Sequence, residues 1–173
     1  HHQIFEDLSL TIHQHDRILL KGPNGCGKSS LIRFILGEKI EYDGQYICGS
    51  QLKISYVPQD CTFLSGQLDD WIEQCHSDLT LVKTLLRKLG FSREHFDIPL
   101  EKLSQGQKKK VMLAISLASP AHLYIWDEPL NYIDIFSRIQ IEQAILTYQP
   151  TLLFVEHDQY FQQKIATEVI DFS

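Results

Sequence analysis

Gly22-Pro23-Asn24-Gly25-Cys26-Gly27-Lys28-Ser29 decides how the rest of the chain is read. Gly22 and Gly27 with four residues between them, followed by Lys28-Ser29, have the spacing of a phosphate-binding loop. An apolar run, Arg17 to Leu20, leads in, and a helix-like apolar run, Leu31 to Leu36, leads out. Strand, loop and helix are the context this motif requires. Glycines let successive N–H groups turn inward toward a polyphosphate, and the helix that starts there points its positive dipole end at the same anion. In such a loop Lys28 reaches the terminal phosphates and the Ser29 hydroxyl is a ligand for Mg²⁺.

Outward from the loop, the chain reads as strands alternating with helices. Ile4–Ile12 alternates loosely and predicts a half-buried strand, and His13 to Asp16 a turn. Arg17–Leu20 is the buried strand that feeds the loop, and the helix from Lys28 stops at Gly37. Gln45–Cys48 and Leu52–Val57 predict short strands, the second ended by Pro58. Leu79, Val82, Leu85, Leu86 and Leu89 recur at helical spacing before Gly90, which marks a small helical insertion. A helix begins at Ser104 and carries Val111, Ala114, Ile115 and Ala118 on one face; Pro120 stops it. His122–Trp126, Thr151–Val155 and Glu168–Phe172 predict strands, with helices opened by Asp134 and Asp158. Continuously apolar strands between helices imply an α/β fold with a mostly parallel sheet covered on both faces.

Bulk properties narrow the class. The 173 residues suffice for one domain with a full core, and 43% hydrophobic against 22% charged residues is ordinary for a globular protein. The apolar runs are too short to span a bilayer, and no secretory signal is read at the start. Four cysteines without paired short spacing fit reduced cytoplasmic thiols, and no cluster has zinc spacing. The net charge of −6 argues against a broad basic face for nucleic acid. Lys108, Lys109 and Lys110 read as a solvated helix face, with contact to RNA as the alternative.

Two further stretches carry chemistry. Leu123 to Glu128 is an apolar strand ending in two carboxylates, at the edge where open α/β sheets bind ligands. Asp127 is placed to hold Mg²⁺ and Glu128 to accept the proton of an attacking water; the plainer account is an exposed acidic turn before Pro129. In Leu103-Ser104-Gln105-Gly106-Gln107, Ser104 with Gln107 makes a capping box, and a helix start with serine and glycine also suits phosphate.

Together these stretches resemble the ATP-binding-cassette (ABC) ATPases. Gly22–Ser29 looks like their Walker A, Leu103–Gln107 their signature, and Leu123–Glu128 their Walker B. Gln59 matches the Q-loop glutamine, Asp134 the D-loop aspartate and His157 the switch histidine, in the family's order. The resemblance implies a P-loop NTPase core with a small helical subdomain over about residues 61–110, all in one nucleotide-binding domain, 1–173. It implies ATP held by Gly22, Pro23, Asn24, Gly25, Cys26, Gly27, Lys28, Ser29 and Ser30. It implies Mg²⁺ held by Ser29, Gln59 and Asp127, and hydrolysis by Glu128 with His157 and Gln59. Ser104, Gly106 and Gln107 would serve ATP bound to a second, facing cassette.

Asp127-Glu128-Pro129-Leu130-Asn131-Tyr132-Ile133-Asp134 is further similar to the Asp-Glu-Pro-Thr-Asn-His-Leu-Asp stretch of ABC-F proteins, cytoplasmic tandem-cassette ATPases that act on ribosomes. Asn131 is the discriminating residue, since transporter cassettes usually carry serine there. With Val155-Glu156-His157-Asp158, the likeness points to the second cassette of ribosome-protecting, antibiotic-resistance members of the Lsa/Vga type. The other class is the nucleotide-binding subunit of a membrane transporter; a cassette that binds ATP without hydrolysing it is the third. Two departures stand out: Gln105 replaces the first signature glycine, and Glu156 the usual serine before the switch histidine. The family's first strand and adenine-stacking aromatic residue would precede His1, so the chain reads as one cassette of a longer protein.

Overall fold

The computed structural model describes residues 8–172. Five strands form one sheet in the order β2-β3-β4-β1-β5: β1 Arg17–Lys21, β2 Ile54–Val57, β3 Leu123–Asp127, β4 Leu152–Val155 and β5 Glu168–Asp171. Every pairing among the described residues is parallel. This is the mostly parallel α/β sheet, covered by helices on both faces, that the alternation of apolar strands and helices implies.

Strand alternation sorts the core onto two faces. Ile18, Leu20, Leu123, Ile125, Leu153 and Val155 pack on one side with Leu31 and Ile32 of α1 (Lys28–Ile35). Leu19, Val57, Trp126, Leu152 and Phe154 point to the other. That side is covered by α4 (Gln105–Ala118), α5 (Ile135–Tyr148) and α6 (Gln159–Ile165). α2 (Leu68–Gln74) and α3 (Leu79–Lys88) continue the same core through Leu68, Ile72, Val82 and Leu86. Trp126 needs a partner for its buried indole N–H and finds the Ser116 hydroxyl of α4 at 3.0 Å.

The caps follow the sequence reading. Ser104 Oγ accepts from the Gln107 N–H at 3.2 Å while Gln107 Oε1 accepts from the Ser104 N–H at 2.8 Å, closing the capping box. Asp134 accepts from the Ser137 N–H at 3.0 Å and Asp158 from the Phe161 N–H at 2.8 Å. α1 ends at Ile35, short of Gly37, which follows in the left-handed region at φ +92.

Apart from β1, the expectations for strands before residue 54 need correction. Gln45–Cys48 is irregular, and residues 8–12 of the expected Ile4–Ile12 strand are too; residues 4–7 lie outside the described residues. A strand needs a ladder partner, and none flanks these segments among the described residues. Ile47 is accordingly 90% exposed, and Tyr42 and Tyr46 instead set their rings against Phe34 at 4.9 and 4.8 Å. β2 starts at Ile54 rather than Leu52, where its register with Leu123 begins.

The lysine run is not a solvated face. Lys108 and Lys109 are buried, and Lys109 is only 1% exposed. Its ammonium donates to the carbonyls of Pro58 at 2.7 Å and Gln59 at 2.9 Å, so it ties α4 to the segment after β2. Lys110 donates to the Leu89 carbonyl at 2.7 Å and pairs with Asp134 at 2.5 Å. Burial opposes ionisation of Asp134, yet bonds from Lys110 and Ser137 hold its carboxyl well below the usual carboxylate range. α4 lies between the sheet and α3, and so leaves no lysine of this turn a wide solvent face. Lys109→Ala is expected to cost about 2–4 kcal/mol, from lost packing plus unpaired buried carbonyls. A urea melt checks this; a loss below about 0.5 kcal/mol, the scale of an ordinary surface change, would restore the solvated-face reading.

Candidate functional site

All strands run the same way, so the segments after β1, β2, β3 and β4 emerge at one edge of the sheet. These segments carry the glycine-rich loop, Gln59, Asp127–Glu128 and Glu156–His157. Residues up to 135 positions apart in the chain (Gly22 to His157) thus share one rim.

The glycine-rich loop closes on itself. A Cβ at Gly22 would lie 2.8 Å from Cys26 Sγ and 3.1 Å from Phe172 Cβ, so a larger residue would force the Cys26 side chain to shift and Phe172 to give way. Gly27 takes φ +105 as the first residue of the turn into α1, a left-handed conformation that glycine adopts without strain. Lys28 is 8% exposed, and its ammonium donates to the carbonyls of Gly22 at 2.7 Å and Pro23 at 2.8 Å. The cation therefore arches back over the loop, while Ser29 is exposed and Ser30 half-buried behind it.

Glu128 is the hub of the rim. Its backbone sits at φ +50, unusual for a residue with a side chain, and its N–H bonds the Val155 carbonyl at 2.9 Å. Three side chains from three segments converge on its carboxylate. Gln59 Nε2 donates to Oε2 at 2.9 Å, the Asn131 amide donates to the same oxygen, and His157 Nε2 lies 3.3 Å from Oε1. Glu128 is 15% exposed while His157 is 57% exposed, so the histidine covers the carboxylate from the solvent side. An acidic turn without function needs no such set of donors. The strained φ falls at the residue where three segments meet, as strain at working sites does.

Asp127 is buried beside it at 7% exposure. Burial and the neighbouring Glu128 charge push its carboxyl up; Lys109, Lys28 and His157 pull it down. Among the described residues no three His, Cys, Asp or Glu side chains cluster as a metal cage. Mg²⁺ does not need one: it takes one or two carboxylates and completes its shell with phosphate oxygens and water. An exposed serine hydroxyl and a carboxylate costly to ionise, set beside a loop with a buried lysine, fit a magnesium nucleotide.

The signature residues lie apart from this group. Ser104 and Gln107 bond one another at the start of α4, and Ser104 is exposed. A Cβ on Gly106 would sit 2.4 Å from the Tyr132 carbonyl, so Gly106 lets the turn after Glu128 press against α4. Asp134 does not join the Glu128 group; its partners are Lys110 and Ser137. Two residues that the sequence reading left without a role in the site now have contacts there. Asn131, valued there only as a family marker, bonds Glu128. Lys109 holds the Gln59 carbonyl, and its spacing with Leu113 and Ser116 on the face toward Trp126 was the available signal.

Residues 5–131 match the family described as ABC transporter. The chain is 31% identical over 166 residues to "Ribosome protection protein VmlR" of Bacillus subtilis (strain 168), covering 93% of this chain and 30% of that protein. It is 32% identical over 180 residues to "ABC transporter F family member 5" of Arabidopsis thaliana, covering 97% of this chain and 25% of that protein. Three of the curated relatives it matches are much longer, and the chain spans 38%, 27% and 25% of their length. A solved "ATP binding subunit of ABC transporter" superposes with a TM-score of 0.83 over 97% of this chain and 79% of that one; at 19% identity this speaks to the fold alone. By its sequence over residues 5–131 and by its fold, the chain belongs to the ABC transporter family of ATPase domains.

Proposed function

We propose that this chain is the ATP-binding and ATP-hydrolysing cassette of a cytoplasmic ABC-F protein that acts on the ribosome. Residues 1–173 form a single nucleotide-binding domain, with about residues 61–110 as its helical subdomain. The observation that carries the catalytic reading is the convergence of Gln59, Asn131 and His157 on Glu128 beside the phosphate loop.

Residues Gly22 to Ser30 wrap the phosphates, all but Pro23 with backbone N–H groups to offer, and Lys28 swings from the loop carbonyls to the terminal phosphates. Ser29, Gln59 and Asp127 would hold Mg²⁺, which would supply charge neutralisation to the phosphate oxygens. Two amide donors occupy Oε2 of Glu128, so Oε1, next to His157, is the oxygen that accepts the proton of the attacking water. The water oxygen bonds the γ-phosphorus, the bond to ADP breaks, and His157 and Gln59 fix the water's direction.

Pairing completes the machine. Ser104, Gly106 and Gln107 of one cassette would contact ATP on the other, so ATP favours the closed pair through contacts the open form lacks. Ser104→Arg is expected to leave ATP affinity within about threefold while removing ATP-dependent pairing, because a bulky cation fills the trans site. Side-by-side titration and sedimentation test this. Equal loss of both, or of neither, would reduce Ser104 to the local cap it also is, worth about 1 kcal/mol.

Support for the ribosome as partner comes from similarity to a protein named for ribosome protection and to an F family member, together with Asn131. Protection against antibiotics, as in Lsa/Vga-type second cassettes, is the finer form of this reading. A transporter's nucleotide-binding subunit is the second reading, in keeping with the match to the ABC transporter family. No helix among the described residues is long and apolar enough to cross a membrane, as either reading allows. The full-length protein is expected to pellet with ribosomes when ATP is present, and more so with Glu128→Gln. Co-purification with a membrane permease, without ribosome pelleting in any nucleotide state, would favour the transporter.

A further inference from the structure

His157 is more than half exposed and leaves β4 on a short segment before α6, yet it stands 3.3 Å from Glu128. The residue before it explains how. Glu156 is buried at 6% exposure, and its carboxylate faces backbone N–H groups from two segments. Oε1 accepts from the N–H of His157 at 2.7 Å and of Asp158 at 3.2 Å. Oε2 accepts from the N–H of Leu130 at 3.1 Å. Leu130 follows Glu128 by two residues and precedes Asn131, whose amide bonds Glu128. The Glu156 carbonyl is taken as well, by Gln162 Nε2 of α6 at 2.6 Å.

We propose that Glu156 is a positioning residue: one carboxylate clamps the turn after β3 to the turn after β4 and so sets the distance between His157 and Glu128. Three N–H donors across two segments need two acceptor oxygens on a side chain long enough to reach both. A serine at this position has one oxygen and reaches only its own turn, so the brace belongs to this chain's departure from the usual residue. Burial opposes the charge on the Lys109 ammonium, while Asp127, Glu128 and Glu156 nearby favour it. The geometric claim stands on these bonds alone; its consequence for rate rests on the hydrolytic reading of Glu128.

Glu156→Gln separates a brace from mere space filling. The amide keeps the volume but has one acceptor oxygen, so its NH₂ must face either the Leu130 N–H or the His157 and Asp158 N–H pair. In the full-length protein, kcat for ATP is expected to fall about tenfold or more with KM within about twofold, the pattern of a misplaced group. Adding Glu156→Gln to His157→Ala should cost less than about twofold more, since both act on one contact. A single mutant within twofold of wild type, or a full tenfold further loss on the His157→Ala background, would overturn the proposal. Amide hydrogen exchange gives an arm independent of turnover. The Leu130 and His157 amides should exchange slowly in wild type and at least about tenfold faster in Glu156→Gln. Fast exchange already in wild type would overturn the brace even if the variant fails to fold. Absent ATPase activity in wild type would sink the functional reading, while exchange would still decide the brace.

Discussion

Glu128→Gln is expected to bind ATP as tightly as wild type and to hydrolyse it at least about 100-fold more slowly, the scale of losing a positioned base. The substitution is close to isosteric. Its carbonyl oxygen can take over from Oε2 as acceptor for the Gln59 and Asn131 amides, and its NH₂ can face His157 Nε2. Geometry is therefore kept while the proton acceptor is lost. Steady-state phosphate release with the full-length protein reads the effect. Turnover within tenfold of wild type would move the base to another residue.

Lys28→Ala is expected to weaken ATP binding at least about 100-fold, the upper range for lost hydrogen bonds to a charged group. Lys28 is the single cationic side chain of the loop. Its ammonium bonds the Gly22 and Pro23 carbonyls, two acceptors that surrounding water can serve when the side chain is removed. The fold should therefore survive, with a melting temperature within a few degrees of wild type. Calorimetric titration with ATP checks the affinity. Wild-type affinity in a folded Lys28→Ala would remove the loop from the nucleotide site.

What the sequence revealed depended on how local each signal is. The phosphate loop, the Ser104–Gln107 capping box and the Asp134 and Asp158 caps are short-range patterns, and each lies where its spacing placed it. The buried strands around Ile18, Ile125 and Leu153 were legible because a run apolar on both faces has few other uses. Gln45–Cys48 misled because a short run of strand-forming residues says nothing about whether a partner strand exists to complete the ladder. Lys109 misled for the converse reason. Three lysines in a row look solvated, but burial of a lysine depends on carbonyls supplied 50 residues away by Pro58 and Gln59. The family resemblance grouped Gln59, His157 and Glu128 in one site; in the fold their meeting follows from the strand order β2-β3-β4, which no local pattern encodes. Glu156 was visible as a departure, but its three bonds depend on the neighbouring turn after β3.

In the proposed mechanism Glu128 turns a bound ATP into ADP at this rim. The most direct measurement is the identity of the nucleotide retained by the full-length protein, with every other cassette's equivalent glutamate replaced, after incubation with ATP and Mg²⁺. ADP is expected on the protein with Glu128 intact and unhydrolysed ATP on Glu128→Gln. ADP on both, or no retained nucleotide on either, would contradict it.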